Sequence, residues 1–192
     1  MRELIVLVGP PASGKTELQR SHPEWVVVSK NDFRTSIFRS LYAATDEETV
    51  ERVFAAALVE AVGSDADVVC VDDLNLTRET RSRLIEVASI SGRRPIAHVM
   101  PVRSIEEHEE RIRRNIKYLR QEHPHLRISG PSRHDLELLL ARYARVSPAE
   151  GFYDIVVHED APSPETEKNP EDVKGARTRK RIERREPLPL FV

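Results

Sequence analysis

The chain has 192 residues, 30 basic and 32 acidic, for a formal net charge of −2. That length predicts one domain with a buried core and no need of disulfides, and the single cysteine permits no intramolecular bridge and no zinc-site spacing. The near-neutral charge excludes a bulk polycation, so any polyanion site must come from local clustering. No stretch is apolar and long enough to span a bilayer, and the first strand begins too early to leave room for a signal peptide. A cytoplasmic protein is expected.

Five strands are predicted in chain order. Leu4-Ile5-Val6-Leu7-Val8 is a continuous apolar run, as in a parallel strand buried on both faces. Trp25–Val28, Val68–Val71, Ile96–Met100 and Asp154–His158 follow. Cys70 falls within the third run and reads as a small buried hydrophobe. Helices are predicted between the strands. One spans Thr45 to Gly63, with Thr45 and Glu48 at capping-box spacing and Val50, Val53, Phe54, Ala57, Leu58 and Ala61 on one face. Another covers 78–91 behind Thr77, a third runs from about Ser104 to Gln121, and a fourth starts at Ser132. Alternating β and α segments imply an α/β fold, a three-layer α/β/α sandwich around a parallel five-stranded sheet. Residues 1–159 read as the folded domain and 160–192 as a disordered charged tail. The tail carries a basic block from Lys174 to Arg185, suited to phosphate contacts, and ends in Leu188-Pro189-Leu190-Phe191, a small hydrophobic anchor for a protein partner.

Four segments carry candidate chemistry. Gly9-Pro10-Pro11-Ala12-Ser13-Gly14-Lys15-Thr16 follows the first strand and fits G-x-x-x-x-G-K-[ST], a phosphate-binding loop. Its N–H groups and the following helix N-terminus would face an anion. Lys15 would reach the β- and γ-phosphates of ATP, and Thr16 would hold Mg²⁺. Ser29-Lys30-Asn31-Asp32-Phe33-Arg34 follows the second strand, where Asp32 is a candidate base and Arg34 a substrate clamp; the alternative is that Asp32 caps a helix. Asp72-Asp73-Leu74-Asn75 ends the third strand, with Asp73 preferred as the acid that orients Mg²⁺ and Asn75 as an acceptor or metal-shell contact. The helix near 104–121 presents Arg113, Arg114, Lys117 and Arg120, candidates for a lid that neutralises transferring phosphate. His123-Pro124-His125 reads as a surface turn.

Together these residues resemble the 5′-kinase domain of the phage polynucleotide kinase family, within the nucleoside-kinase-like P-loop enzymes, over roughly residues 4–157. Val28–Ile37 is similar to that family's acceptor segment, Asp73-Leu74-Asn75-Leu76-Thr77 to its Asp-x-Asn-Leu-Asn block, and Arg114-Asn115 to the Arg-Asn of its helical lid. The resemblance implies transfer of the ATP γ-phosphate to a 5′-hydroxyl of DNA or RNA. It implies Lys15 and Thr16 at the donor, Arg34 at the acceptor phosphate and Arg114 on the donor phosphates. The family's base lies three residues before the arginine. Here Asn31 stands there, and asparagine is no useful proton acceptor near neutrality. Either Asp32 takes over, or the chain is a weak kinase or a nucleotide-binding module, or it phosphorylates a small molecule.

Overall fold

The structure, a computed structural model, describes residues 1–41 and 46–159. The expected tail 160–192, with its basic block and terminal anchor, lies outside the described residues. Among the described residues seven strands and six α-helices follow one another: β1 (Glu3–Val8), α1 (Lys15–Arg20), β2 (Val26–Ser29), α2 (Lys30–Phe38), β3 (Ser40–Leu41), α3 (Glu47–Gly63), β4 (Val68–Asp72), α4 (Arg78–Ile90), β5 (Arg94–Val99), α5 (Ile105–Glu122), β6 (Arg127–Ile128), α6 (Arg133–Ala141) and β7 (Asp154–Val157). Strands β2-β4-β1-β5-β7 form one sheet, with every neighbouring pair parallel. The α/β class and its five-stranded parallel sheet agree with the sequence pattern.

Burial on both sides explains why β1 reads as an unbroken apolar run. Leu4, Val6 and Val8 face a core closed by Phe54, Leu58 and Val62 of α3 and Leu84 and Ala88 of α4. Ile5 and Leu7 face the opposite side with Cys70 and Ile96, under Leu18 and Trp25. Parallel pairing brings the carboxyl ends of three strands together. Ser29 at the end of β2 stands opposite Asp72 at the end of β4, and the N–H of Gly9, just past β1, donates to the Leu74 carbonyl at 3.0 Å.

Helix starts follow side-chain caps. Thr77, Ser104 and Ser132 cap α4, α5 and α6, and the last two form complete capping boxes. Helix α3 departs from expectation: Asp46 is its N-cap, accepting from the Thr49 N–H, and Thr45 lies outside the described residues. Strands β3 and β6 were not foreseen. They pair in parallel through two residues each, Ser40 with Arg127 and Leu41 with Ile128, and so join the end of α2 to the α5–α6 connection. Among the described residues no helix is long and apolar enough to cross a membrane.

Candidate active site

The loop between β1 and α1 is a backbone cradle. A Cβ at Gly9 would meet Met100 Cβ and Ser13 Oγ, both at 2.8 Å, and Gly14 sits at φ +108° in the left-handed region. Both positions therefore favour glycine. Helix α1 starts at Lys15 itself, so Lys15 and Thr16 occupy the first turn, where unpaired N–H groups collect. The Lys15 ammonium is buried and donates to the carbonyls of Gly9 and Pro10, each at 2.8 Å. Burial lowers its pKa to about 8, against the attraction of Asp72 and then Asp73.

The segment expected to hold an acceptor turns around Ser29. Ser29 is the N-cap of α2: its hydroxyl accepts from the Asp32 N–H at 3.4 Å and donates to Asp72 Oδ2 at 3.1 Å. Ser29, not Asp32, therefore caps the helix. The Asp32 carboxylate receives no hydrogen bond from the described residues, and its pKa is raised by burial and by the negative charge of Asp72. Asn31 Oδ1 accepts from Arg34 Nη1 at 2.8 Å. Glu47, from α3, holds the same guanidinium through Nε at 2.9 Å and Nη2 at 2.7 Å, a bidentate pairing that fixes its orientation.

The two strand-end acids differ in setting. Asp72 is buried, and burial raises its pKa while the Lys15 ammonium opposes the rise. Asp73 is ion-paired with Lys30 Nζ at 2.7 Å, and Glu51 holds that same ammonium. Asp73 therefore shares its charge with a lysine, whereas Asp72 faces the loop lysine. Asn75 does not line the cavity. It is 3 % exposed, takes a left-handed backbone at φ 48°, and its side-chain amide donates to the Leu7 carbonyl at 2.8 Å. This corrects its reading as an acceptor or metal-shell contact on the cavity wall: the amide N–H fastens the β4–α4 turn to β1, and the buried Oδ1 has no hydrogen-bond partner among the described residues. Arg81, fully buried, braces that turn from below, donating to the carbonyls of Asn75 and Leu76 and pairing with Glu150 at 2.7 and 2.9 Å.

Helix α5 lies over the phosphate loop. His108 is fully buried. The Arg103 N–H donates to its Nε2 at 3.1 Å, so Nδ1 carries the proton and donates to the Pro11 carbonyl at 3.1 Å. Burial lowers its pKa, in keeping with a neutral ring. One turn on, Arg111 Nε donates to the Ala12 carbonyl at 2.9 Å. Arg114, the arginine implied by the resemblance, points elsewhere: its side chain is 71 % exposed, paired with Glu110 at 3.3 Å, and absent from the cavity wall. Arg111 and Asn115, one turn apart, are the polar α5 residues that face the cavity beside Tyr118. Sequence reasoning missed Arg111 and His108, although both lie one or two turns before Asn115 on its own face.

These parts surround one cavity of about 860 Å³. Its lining joins Pro11 to Thr16 of the loop, Asp32, Arg34, Asp72 and Asp73, and the apolar side chains of Leu41, Leu119, Leu126 and Leu139. Of the expected site residues, Pro11 to Thr16, Asn31, Asp32, Arg34 and Asp73 line the cavity, whereas Gly9, Pro10, Asn75, Arg114 and the other lid candidates Arg113, Lys117 and Arg120 do not. His123 is at its rim, its ring 6.1 Å from that of His125.

A parallel sheet with a glycine-rich loop at the end of its central strand, under a helical lid, defines a P-loop kinase-like domain. Residues 4–125 match the family model described as an AAA domain, AAA_33, and the chain belongs to that family, for which ATP binding is typical. No curated protein sequence matches the chain. Solved structures share the fold. Kti12 of Chaetomium thermophilum, in complex with ADP-AlF₃, is 22 % identical over 81 % of this chain and 88 % of its own, at a TM-score of 0.54. A protein of Chloroflexus aurantiacus described as a kinase is 20 % identical over 81 % of this chain and 86 % of its own, at 0.59. A chain of the Pnkp1/Rnl/Hen1 RNA repair complex is 19 % identical over 73 % of this chain and 43 % of its own, at 0.56.

Proposed function

We propose that residues 1–159 form an ATP-dependent kinase that moves the γ-phosphate of ATP to a 5′-hydroxyl end of DNA or RNA. One observation carries this reading: the phosphate loop and the Asn31–Arg34 segment line the same cavity. A donor site and an acceptor site that share one cavity can align for in-line transfer.

In this reading the loop N–H groups and Lys15 bind the triphosphate, and Lys15 follows the charge of the transferring group. The carbonyl bonds that Lys15 makes now are given up for phosphate oxygens. Thr16 and the strand-end acids suit a hard cation, since a hydroxyl and two carboxylates are oxygen donors. Mg²⁺ bound there would screen the phosphate charge. Asp72, facing Lys15, fits that duty better than Asp73, which Lys30 already neutralises. Asp32 takes the proton of the acceptor hydroxyl. Its carboxylate is open and its raised pKa moves it toward the range of an effective base. Asn31 instead fixes Arg34, whose fork grips an acceptor phosphate in exchange for Glu47. Arg111 stabilises the equatorial oxygens from the lid. The likeness to a chain of an RNA repair complex supports a nucleic-acid acceptor.

The test is incubation with γ-labelled ATP and a panel of acceptors: a 5′-hydroxyl oligonucleotide, its 5′-phosphorylated form, and free nucleosides. Label on the 5′-hydroxyl oligonucleotide alone is expected. Label confined to nucleosides or other small molecules would replace the polynucleotide reading with that of a metabolite kinase.

A further inference from the structure

Helix α5 separates two hollows. Its Arg111, Asn115, Tyr118 and Leu119 face the cavity described above. Its other flank, with α6 and the Gly130-Pro131 turn, encloses a second groove of about 620 Å³. Ile112, Ile116 and Leu136 form the apolar floor. Gly130 is pressed onto it so closely that a Cβ there would sit 2.6 Å from Ile116 Cδ1. Arg113, Lys117 and Arg120 rise along one wall. Pro131 lines both hollows, so the groove and the cavity adjoin there.

The charges of this wall are unevenly spent. Glu109, at one end, is already held by Arg133 at 2.7 Å. Arg113 is largely exposed and shares only the solvent-facing Glu110. Arg120 is anchored by donating from Nε and Nη2 to the Ile128 carbonyl at 3.1 and 2.7 Å, which orients its remaining edge without neutralising it. Lys117 has no ion pair among the described residues. Ile112 and Leu136 lie buried beneath the groove and offer no stacking face for bases, so what it presents is the row of cations, the arrangement that tracks the phosphates of a strand.

We propose that this groove is the track for a single-stranded nucleic acid whose 5′ end occupies the cavity, so that the acceptor is a polymer held several nucleotides beyond its reacting end. The strand leaves the cavity past exposed Tyr118, crosses Pro131 and runs along Lys117 and Arg113. This rests on the end-kinase reading, and adds that length improves an acceptor.

The experiment compares kcat/KM for a 5′-hydroxyl dinucleotide and an eight-nucleotide single strand across a salt series, in the full chain and in Arg113→Gln/Lys117→Gln. Binding of the labelled octamer is followed in parallel by anisotropy. The octamer is expected to outperform the dinucleotide by roughly tenfold or more at low salt, as a few added phosphate contacts produce. In the double variant that advantage shrinks to about twofold, and the log–log salt slope of octamer binding falls by about 1.4, since each lost phosphate contact is worth ~0.7. Lys117→Arg with Arg113 intact keeps both. Equal kcat/KM for the two lengths, or an unchanged slope in the double variant, would overturn the track while leaving the end-kinase reading standing. Tighter binding of apolar peptides than of the octamer would also overturn it, by assigning the groove to a protein segment. Absence of transfer to either acceptor would instead remove the kinase reading, and the anisotropy slope would still decide the track.

Discussion

The two ends of the cavity, the phosphate loop and the proposed acceptor segment, are built on different principles. The donor end is backbone: eight consecutive residues supply carbonyls, N–H groups and one lysine, and glycine is required where Met100 and Ser13 approach. The acceptor end is side chain, drawn from α2, α3, β4 and α5 and held by ion pairs: Arg34 on Glu47, Lys30 on Asp73. A backbone site keeps its shape whatever surrounds it. A side-chain site depends on each partner, so its chemistry can drift by one residue without loss of fold, as the proposed base at Asp32 beside Asn31 would require.

The sharpest way to break this contrast is at Asp32. Asp32→Asn removes the open carboxylate while Ser29 keeps its helix cap, and a turnover loss of ~10²–10⁴-fold with ATP affinity unchanged is expected from label-transfer rates and ATP titration. Asn31→Asp tests the same point from the other side. If Asp32 is the base, the added carboxylate only competes for Arg34 and transfer does not rise.

At the donor end Lys15→Ala should cost ~10²–10³-fold in turnover, the scale of a lost electrostatic contact in such sites. Unchanged turnover in the folded variant would show that the loop is not the donor site. The lid gives a smaller and more discriminating effect. Arg111→Ala loses a cation seated on the loop and is expected to lower kcat by roughly 10- to 100-fold, whereas Arg114→Ala, with its side chain in solvent, should stay within about twofold. The reverse ranking would place the family's arginine at Arg114 after all.

The smallest effect concerns pH. Burial lowers the Lys15 pKa from 10.5 to about 8, so between those values the unfolded chain binds a proton that the folded one does not. The stability of the ligand-free protein therefore rises with pH across that window. A bound polyphosphate favours the charged ammonium. ATP affinity should weaken several-fold above pH 8, with net proton uptake on binding, measured by calorimetry in two buffers of different ionisation enthalpy. Lys15→Arg, which does not titrate there, should flatten the dependence.

Legibility in the sequence follows the same divide. The phosphate loop and the five long strands are contiguous, so spacing and apolar runs reveal them. Arg114 was favoured because it precedes Asn115 as in the resembling family, yet helix phase decides the matter: Arg111 and Asn115, four apart, share a face, and Arg114 lies well around the helix. His108 and Ser29 act through partners 97 and 43 residues away, and nothing local announces such contacts. Strands β3 and β6 hold two residues each, too few for any periodicity. Asn75 looked like a site residue because it follows two acids, but its left-handed backbone and its bond to Leu7 come from the packing of two strands.

If the protein is such a kinase, the two ends serve one reaction in one cavity. A bisubstrate compound, adenosine joined through a polyphosphate chain to the 5′-oxygen of a short oligonucleotide, tests this directly. Linking two ligands that occupy one hollow raises affinity by ~10²–10⁴-fold through effective concentration. The account predicts a Kd at least ~10²-fold below that of ATP, with the gain lost in Lys15→Ala and in Arg34→Ala alike. A compound that binds no more tightly than ATP would contradict it, and would separate the nucleotide site from the acceptor segment that the sequence places beside it.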